Sequence, residues 1–136
     1  MRRVLAAAAA AMTAALLFAG TASADPVPGP PYVARIAWAK WGDLSSLRVY
    51  PTESARLAST EPDTTAQADE AWAEVLQLSP DADSPGMRDQ FMCHWQYAEL
   101  AQPGKTSWNL EPWRPQVSSD EMVAAHCNPG GSEEPF

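Results

Sequence analysis

The feature that most constrains this chain is its single pair of cysteines, Cys93 and Cys127, in a sequence whose first 24 residues have the layout of an export signal. Arg2 and Arg3 precede an alanine-rich apolar run from Val4 to Gly20, and Ala22-Ser23-Ala24 supplies the small residues of a cleavage site. Residues 1–24 are therefore expected to be removed and the rest to work as a secreted, extracytoplasmic protein, where thiols oxidise. An uncleaved anchor is the weaker alternative, because a 17-residue run made mostly of alanine inserts poorly. No cysteine follows that run, which excludes lipid attachment, and Arg2-Arg3 lacks the rest of a twin-arginine pattern. Cys93 and Cys127 are then expected to form a disulfide closing a span of 34 positions. A metal site is the competing use, since the order is Cys93-His94 and His126-Cys127. Neighbouring residues on a helix point about 100° apart and cannot readily reach one ion, so no metal and no cofactor is expected.

Composition matters at this point. Removing 24 of 136 residues leaves 112, with 7 basic against 17 acidic side chains and a net charge of −10. That length fits one domain, and that charge excludes a nucleic-acid partner, which needs cations to displace phosphate counterions. Nothing beyond Ala24 is long and apolar enough for stable membrane insertion. Six tryptophans remain, so the core is expected to use few, large side chains.

Residues 25–31 hold four prolines and read as an extended leader to a globular domain over residues 32–130, with 131–136 a flexible tail. Tyr32 to Trp41 alternates as a strand, Gly42-Asp43 signals a turn, and Leu47 to Tyr50 reads as a second strand stopped by Pro51. A short helix from Thr52 to Ala58 is expected next. Asp63 is a plausible N-cap for a helix to Leu78, with Ala68, Ala71, Trp72, Val75 and Leu76 on one stripe. Ser84-Pro85 is expected to open a helix to Leu100. On it Met87, Phe91, His94, Trp95 and Ala98 share one face, while Cys93, Tyr97 and Leu100 form a second, making the helix central. Residues 101–117 read as a long irregular connection, and Ser118-Ser119-Asp120-Glu121 as a capping box for a last helix to His126. The fold class is therefore α+β: a small single domain with an N-terminal β-hairpin packed against three or four helices and one disulfide.

Two groups of residues are candidates for chemistry. The disulfide would bring His94 and His126 into one neighbourhood, where Glu111 offers a carboxylate for an acid–base pair. The bland alternative is a satisfied core histidine and a helix-capping one. The second group is the proline-stiffened run Ser107 to Pro115. Trp108 and Trp113 present aromatic faces there, and Asn109, Glu111 and Arg114 supply directed hydrogen bonds, as a ligand pocket requires. The same tryptophans would serve equally as a lid on the core. Trp38, Trp72 and Trp95 fall on apolar faces and are expected inside. There is no nucleophile elbow, no His-Glu-x-x-His and no phosphate-cradling glycine loop.

Several stretches carry a resemblance. Gly42 to Pro51, Ala71-Trp72 with Glu74-Val75, Phe91 with Cys93-His94-Trp95, Ser107 to Pro115 and Cys127 to Gly130 are similar to a family of secreted actinobacterial proteins, domain of unknown function 2599. The resemblance spans about Tyr32 to Gly130 and implies a small exported domain, with no activity, cofactor or partner to carry over. Two functions remain open: a non-enzymatic domain binding a small molecule, glycan or envelope protein, and a small secreted hydrolase.

Overall fold

A computed structural model describes Gly20 and residues 25–131. The expected export signal apart from Gly20, and all but the first residue of the expected tail, lie outside the described residues. Strand β1 (Val33–Trp41) and strand β2 (Leu44–Pro51) form the hairpin, antiparallel with Trp41 opposite Leu44 across the Gly42-Asp43 turn. Gly42 takes φ +58°, the left-handed conformation that a two-residue hairpin loop demands. Pro51 is the last residue of β2, opposite Val33, and a register shift follows between Val33 and Arg35.

Helix α1 (Glu53–Thr60) begins where Thr52 Oγ1 accepts from the Ala55 amide. Helix α2 (Thr65–Leu78) buries Ala68, Ala71, Trp72 and Val75 along the expected stripe. It starts later than expected: Asp63 lies at φ +58° and Thr64 is the N-cap. The Thr64 hydroxyl does not cap the helix; it accepts from the Trp95 indole N–H and donates to the Glu61 carbonyl. After a 3-10 turn at Pro80–Ala82, helix α3 runs from Met87 to Ala101. Its start is also displaced. Ser84-Pro85-Gly86-Met87 folds as a type II turn, with Gly86 at φ +84° and the Met87 amide donating to the Ser84 carbonyl, so the proline occupies the turn and not the helix.

The connection after α3 is not irregular throughout. Trp108–Leu110 forms strand β3, antiparallel to β2 with Leu47 opposite Leu110 and Val49 opposite Trp108. The sheet therefore has three strands in the order β1-β2-β3. Three residues are too short to show an alternating pattern, and the strand exists only because β2 offers a ladder. Helix α4 (Ser119–Ala124) starts at the expected capping box, Ser118 with Glu121.

The core lies between one sheet face and the helices. Leu47 and Val49 meet Phe91, Trp95 and Trp108, with Phe91 and Trp95 ring centroids 6.0 and 6.1 Å from that of Trp108. Trp72 and Trp95 are inside as expected, but Trp38 is not: it is 42% exposed, its indole N–H donating to Ser79 Oγ. Trp38 faces the core side of the sheet, opposite Leu47, yet β1 is an outer strand, and among the described residues no further strand pairs with it. The second expected face of α3 is likewise only half buried. Cys93 is inside, whereas Tyr97 and Leu100 are exposed, because the short α4 reaches only the disulfide end.

Cys93 and Cys127 are disulfide-bonded with Cα atoms 5.6 Å apart. The bridge holds a costly backbone: His126 and Cys127 both have positive φ, +50° and +66°. The Cys127 amide donates to the Met122 carbonyl, closing the end of α4. Among the described residues no helix is long and apolar enough to cross a membrane.

Candidate functional site

The run from Ser107 to Pro115 was expected either to line a pocket or to close the core, and most of its side chains are buried, with Pro112 and Trp113 half-buried and Pro115 exposed. Trp108, Asn109, Glu111 and Arg114 are all buried, Glu111 to 1% and Arg114 to 3% exposure. Gln90, fully buried on α3, pairs its side-chain amide with the backbone of Glu111: Nε2 donates to the carbonyl and Oε1 accepts from the amide, each at 2.9 Å. A glutamine thus continues the ladder where β3 ends. The Glu111 carboxylate accepts from Ser46 Oγ on β2 at 3.2 Å and from Arg114 Nε at 3.0 Å. Arg114 Nη1 then donates to the carbonyls of Pro129 and Gly131, and the guanidinium lies 4.4 Å from the Trp113 ring centroid. Gly130, between those two carbonyls, sits at φ +88° against Pro115, where an added Cβ would lie 2.7 Å from its ring. A side chain there would push the segment off the arginine.

This cluster is a clasp joining β2, α3 and the chain after the disulfide. It satisfies a buried ion pair with neighbouring hydrogen bonds, the condition under which such a pair is tolerated. Four of the five expected ligand contacts are turned to internal use, and only Trp113 stays half-buried.

The acid–base candidates differ in setting. His94 is buried on α3 with Nδ1 2.8 Å from the Gln90 carbonyl; that oxygen can only accept, so Nδ1 carries the hydrogen. His126 is exposed beyond α4. Glu111 meets Ser46 and Arg114 as described. Among the described residues no group of three or more His, Cys, Asp or Glu is placed to hold a metal ion.

An open cleft lies elsewhere, between the α1–α2 turn and α3, with a volume of about 490 Å³. Trp95, Ala68 and Met92 form its apolar floor; Glu61, Asp63 and Gln96 stand at its rim. The exposed Arg88–Asp69 ion pair bridges α3 and α2 beside it. Its size matches a small-molecule site. The sequence reading missed it because its residues come from three helices, and none carries a motif. The one local signal was Thr60-Glu61-Pro62-Asp63, a break between helices that leaves a turn standing over α3. A smaller groove of about 190 Å³ follows between α3 and α4, sharing Arg88, Met92 and Gln96.

These features define a small disulfide-closed α+β domain with a buried arginine clasp and a cleft open to solvent. The chain belongs to the family described as "Protein of unknown function (DUF2599)", whose model matches residues 33–130. It is 53% identical over 148 aligned positions to "Uncharacterized protein Rv0477" of Mycobacterium tuberculosis (strain ATCC 25618 / H37Rv), covering 98% of this chain and 99% of that protein. It is also 50% identical over 103 positions to "Uncharacterized protein ML2452" of Mycobacterium leprae (strain TN), covering 76% of this chain and 83% of the relative. No solved structure matches the chain.

Proposed function

We propose that this chain is exported, loses residues 1–24, and acts through its globular part, residues 32–130, as a non-enzymatic binding domain at the cell envelope. Its ligand is a small, partly apolar molecule taken into the cleft between the α1–α2 turn and α3. The observation that carries the reading is the cleft itself: an indole, a methyl and a thioether below, carboxylates and an amide above, about 490 Å³ in all. Carboxylates at the rim with Trp95 and Met92 below favour a ligand with a cationic or hydroxylated end and an apolar body. The burial of Trp108, Asn109, Glu111 and Arg114 supports assigning the binding role to this cleft in place of their loop. Export is supported by the layout of residues 1–24 and by a disulfide of the kind that persists in oxidising compartments.

The test has two arms. N-terminal sequencing of protein recovered outside the cytoplasm should begin at Asp25; recovery only with residues 1–24 attached would refute export with cleavage. A thermal-shift screen with glycans, fatty acids and alkylamines should yield a stabilising ligand whose effect disappears in Gln96→Trp, which fills the cleft from an exposed position. A ligand shift that survives Gln96→Trp would place the site elsewhere.

A further inference from the structure

Charge on this molecule is divided unevenly. The hairpin Val33–Pro51 carries Arg35, Lys40 and Arg48 against the single anion Asp43, while residues 52–131 carry four cations against thirteen anions, a net charge of −9. Among those cations, Arg56 pairs with Glu99, Arg88 with Asp69 and Arg114 with Glu111. Arg35 instead lies over the Tyr50 ring, 3.4 Å from its centroid, and Lys40 is exposed near the hairpin tip.

Both side chains stand on β1, a nine-residue strand that pairs only with β2 among the described residues. A strand in that position offers its outer row of amides and carbonyls to another chain. The register sets Ile36 and Trp38 opposite Val49 and Leu47 on the core side, so Arg35, Ala37, Ala39 and Trp41 share the other face. The two alanines leave that stretch low, with the half-exposed Trp38 and Trp41 beside it. The start of the strand is closed, because the Tyr32 and Val33 amides donate to the Glu74 carboxylate. The open part therefore runs from Arg35 to Trp41, roughly 20 Å of edge.

We infer that this edge takes an extended acidic segment of another protein as an added antiparallel strand. Main-chain hydrogen bonds to β1 hold it, Arg35 selects carboxylates on one face, and Trp38 packs on its apolar positions on the other, with Lys40 beyond them toward the hairpin tip. A second copy of this chain is a poor occupant. Its own β1 carries Arg35 and Lys40 and no carboxylate, so it would bring like charge to this edge. The surface is separate from the cleft and stands whether or not the cleft binds.

The probe is a capped seven-residue peptide alternating Glu and Val, added to the full exported chain. Amide hydrogen exchange between Arg35 and Trp41 should slow at least tenfold, and N-methylation of alternate peptide residues should abolish the effect. Arg35→Glu with Lys40→Glu should weaken binding at least tenfold and favour the matching Lys-Val peptide. Lys40→Glu alone, which leaves the Arg35–Tyr50 contact intact, should show a smaller shift in the same direction. Equal binding of the N-methylated peptide would show a merely anionic contact and overturn strand addition, as would unchanged β1 exchange at millimolar peptide.

Discussion

Two arginine–carboxylate pairs of the same chemistry sit in opposite surroundings. Arg114 and Glu111, three positions apart, have side chains 0% and 1% exposed, whereas Arg88 and Asp69, joining α3 to α2, are 52% and 53% exposed. In water, the ions of the second pair are solvated whether or not they touch, so the contact adds about 0–1 kcal/mol. Inside, each ion depends wholly on its partners. The first pair therefore controls the architecture, and the second only furnishes the edge of a cleft.

The largest test of this contrast is Arg114→Ala. It strands the Glu111 carboxylate beneath the sheet and releases the carbonyls of Pro129 and Gly131, and should cost about 3–5 kcal/mol in denaturant unfolding. A loss below 1 kcal/mol would mean that the clasp is replaceable by water. Cys93→Ser with Cys127→Ser removes the other fastening of the same C-terminal segment and should cost about 2–4 kcal/mol, measured against the oxidised parent. Trp113→Ala uncovers the Arg114 guanidinium and should lower stability by about 2 kcal/mol while leaving ligand-induced shifts at the cleft unchanged. The reverse pattern would return the binding role to that loop.

A smaller effect is expected at the other end of the chain. The Tyr32 hydroxyl donates to the Pro28 carbonyl, and burial, then Glu70 and Glu74, hold its pKa above the ordinary value near 10. The folded chain keeps this proton to higher pH than the unfolded chain does. Its contribution is intact below pH 10 and is lost as pH rises further. Tyr32→Phe should cost about 1 kcal/mol at neutral pH and flatten the alkaline decline; an unchanged decline would assign it to other groups. Smallest of all, Arg88→Ala should leave the unfolding midpoint within the effect of about 0.5 kcal/mol while changing ligand affinity at the cleft.

Much of the fold could be read along the chain because its signals are local. Gly42-Asp43 needs only a left-handed glycine, the α2 stripe only helical spacing, and Ser118 with Glu121 only each other. Where a second signal competed, the boundary moved: Pro-Gly at 85–86 built a turn before α3, and Trp95 drew the Thr64 hydroxyl away from capping. Site residues were harder. Glu111 and Arg114 look like ligand contacts in a polar, aromatic loop, and only Gln90 and Ser46, 21 and 65 positions away, turn that carboxylate segment into a clasp. The cleft has no signature in any one segment.

The sequence by itself determined the class of fold, the pairing of two cysteines, the acidic charge and the family. These follow from periodicity, composition and near-neighbour chemistry. Only the tertiary structure decided which tryptophans are inside, that Trp108–Leu110 becomes a strand, and that Glu111 and Arg114 face each other. The physical reason is the same in each case: burial and hydrogen-bond satisfaction depend on what arrives from distant parts of the chain. A residue's own chemistry states what partner it needs, and packing alone supplies one.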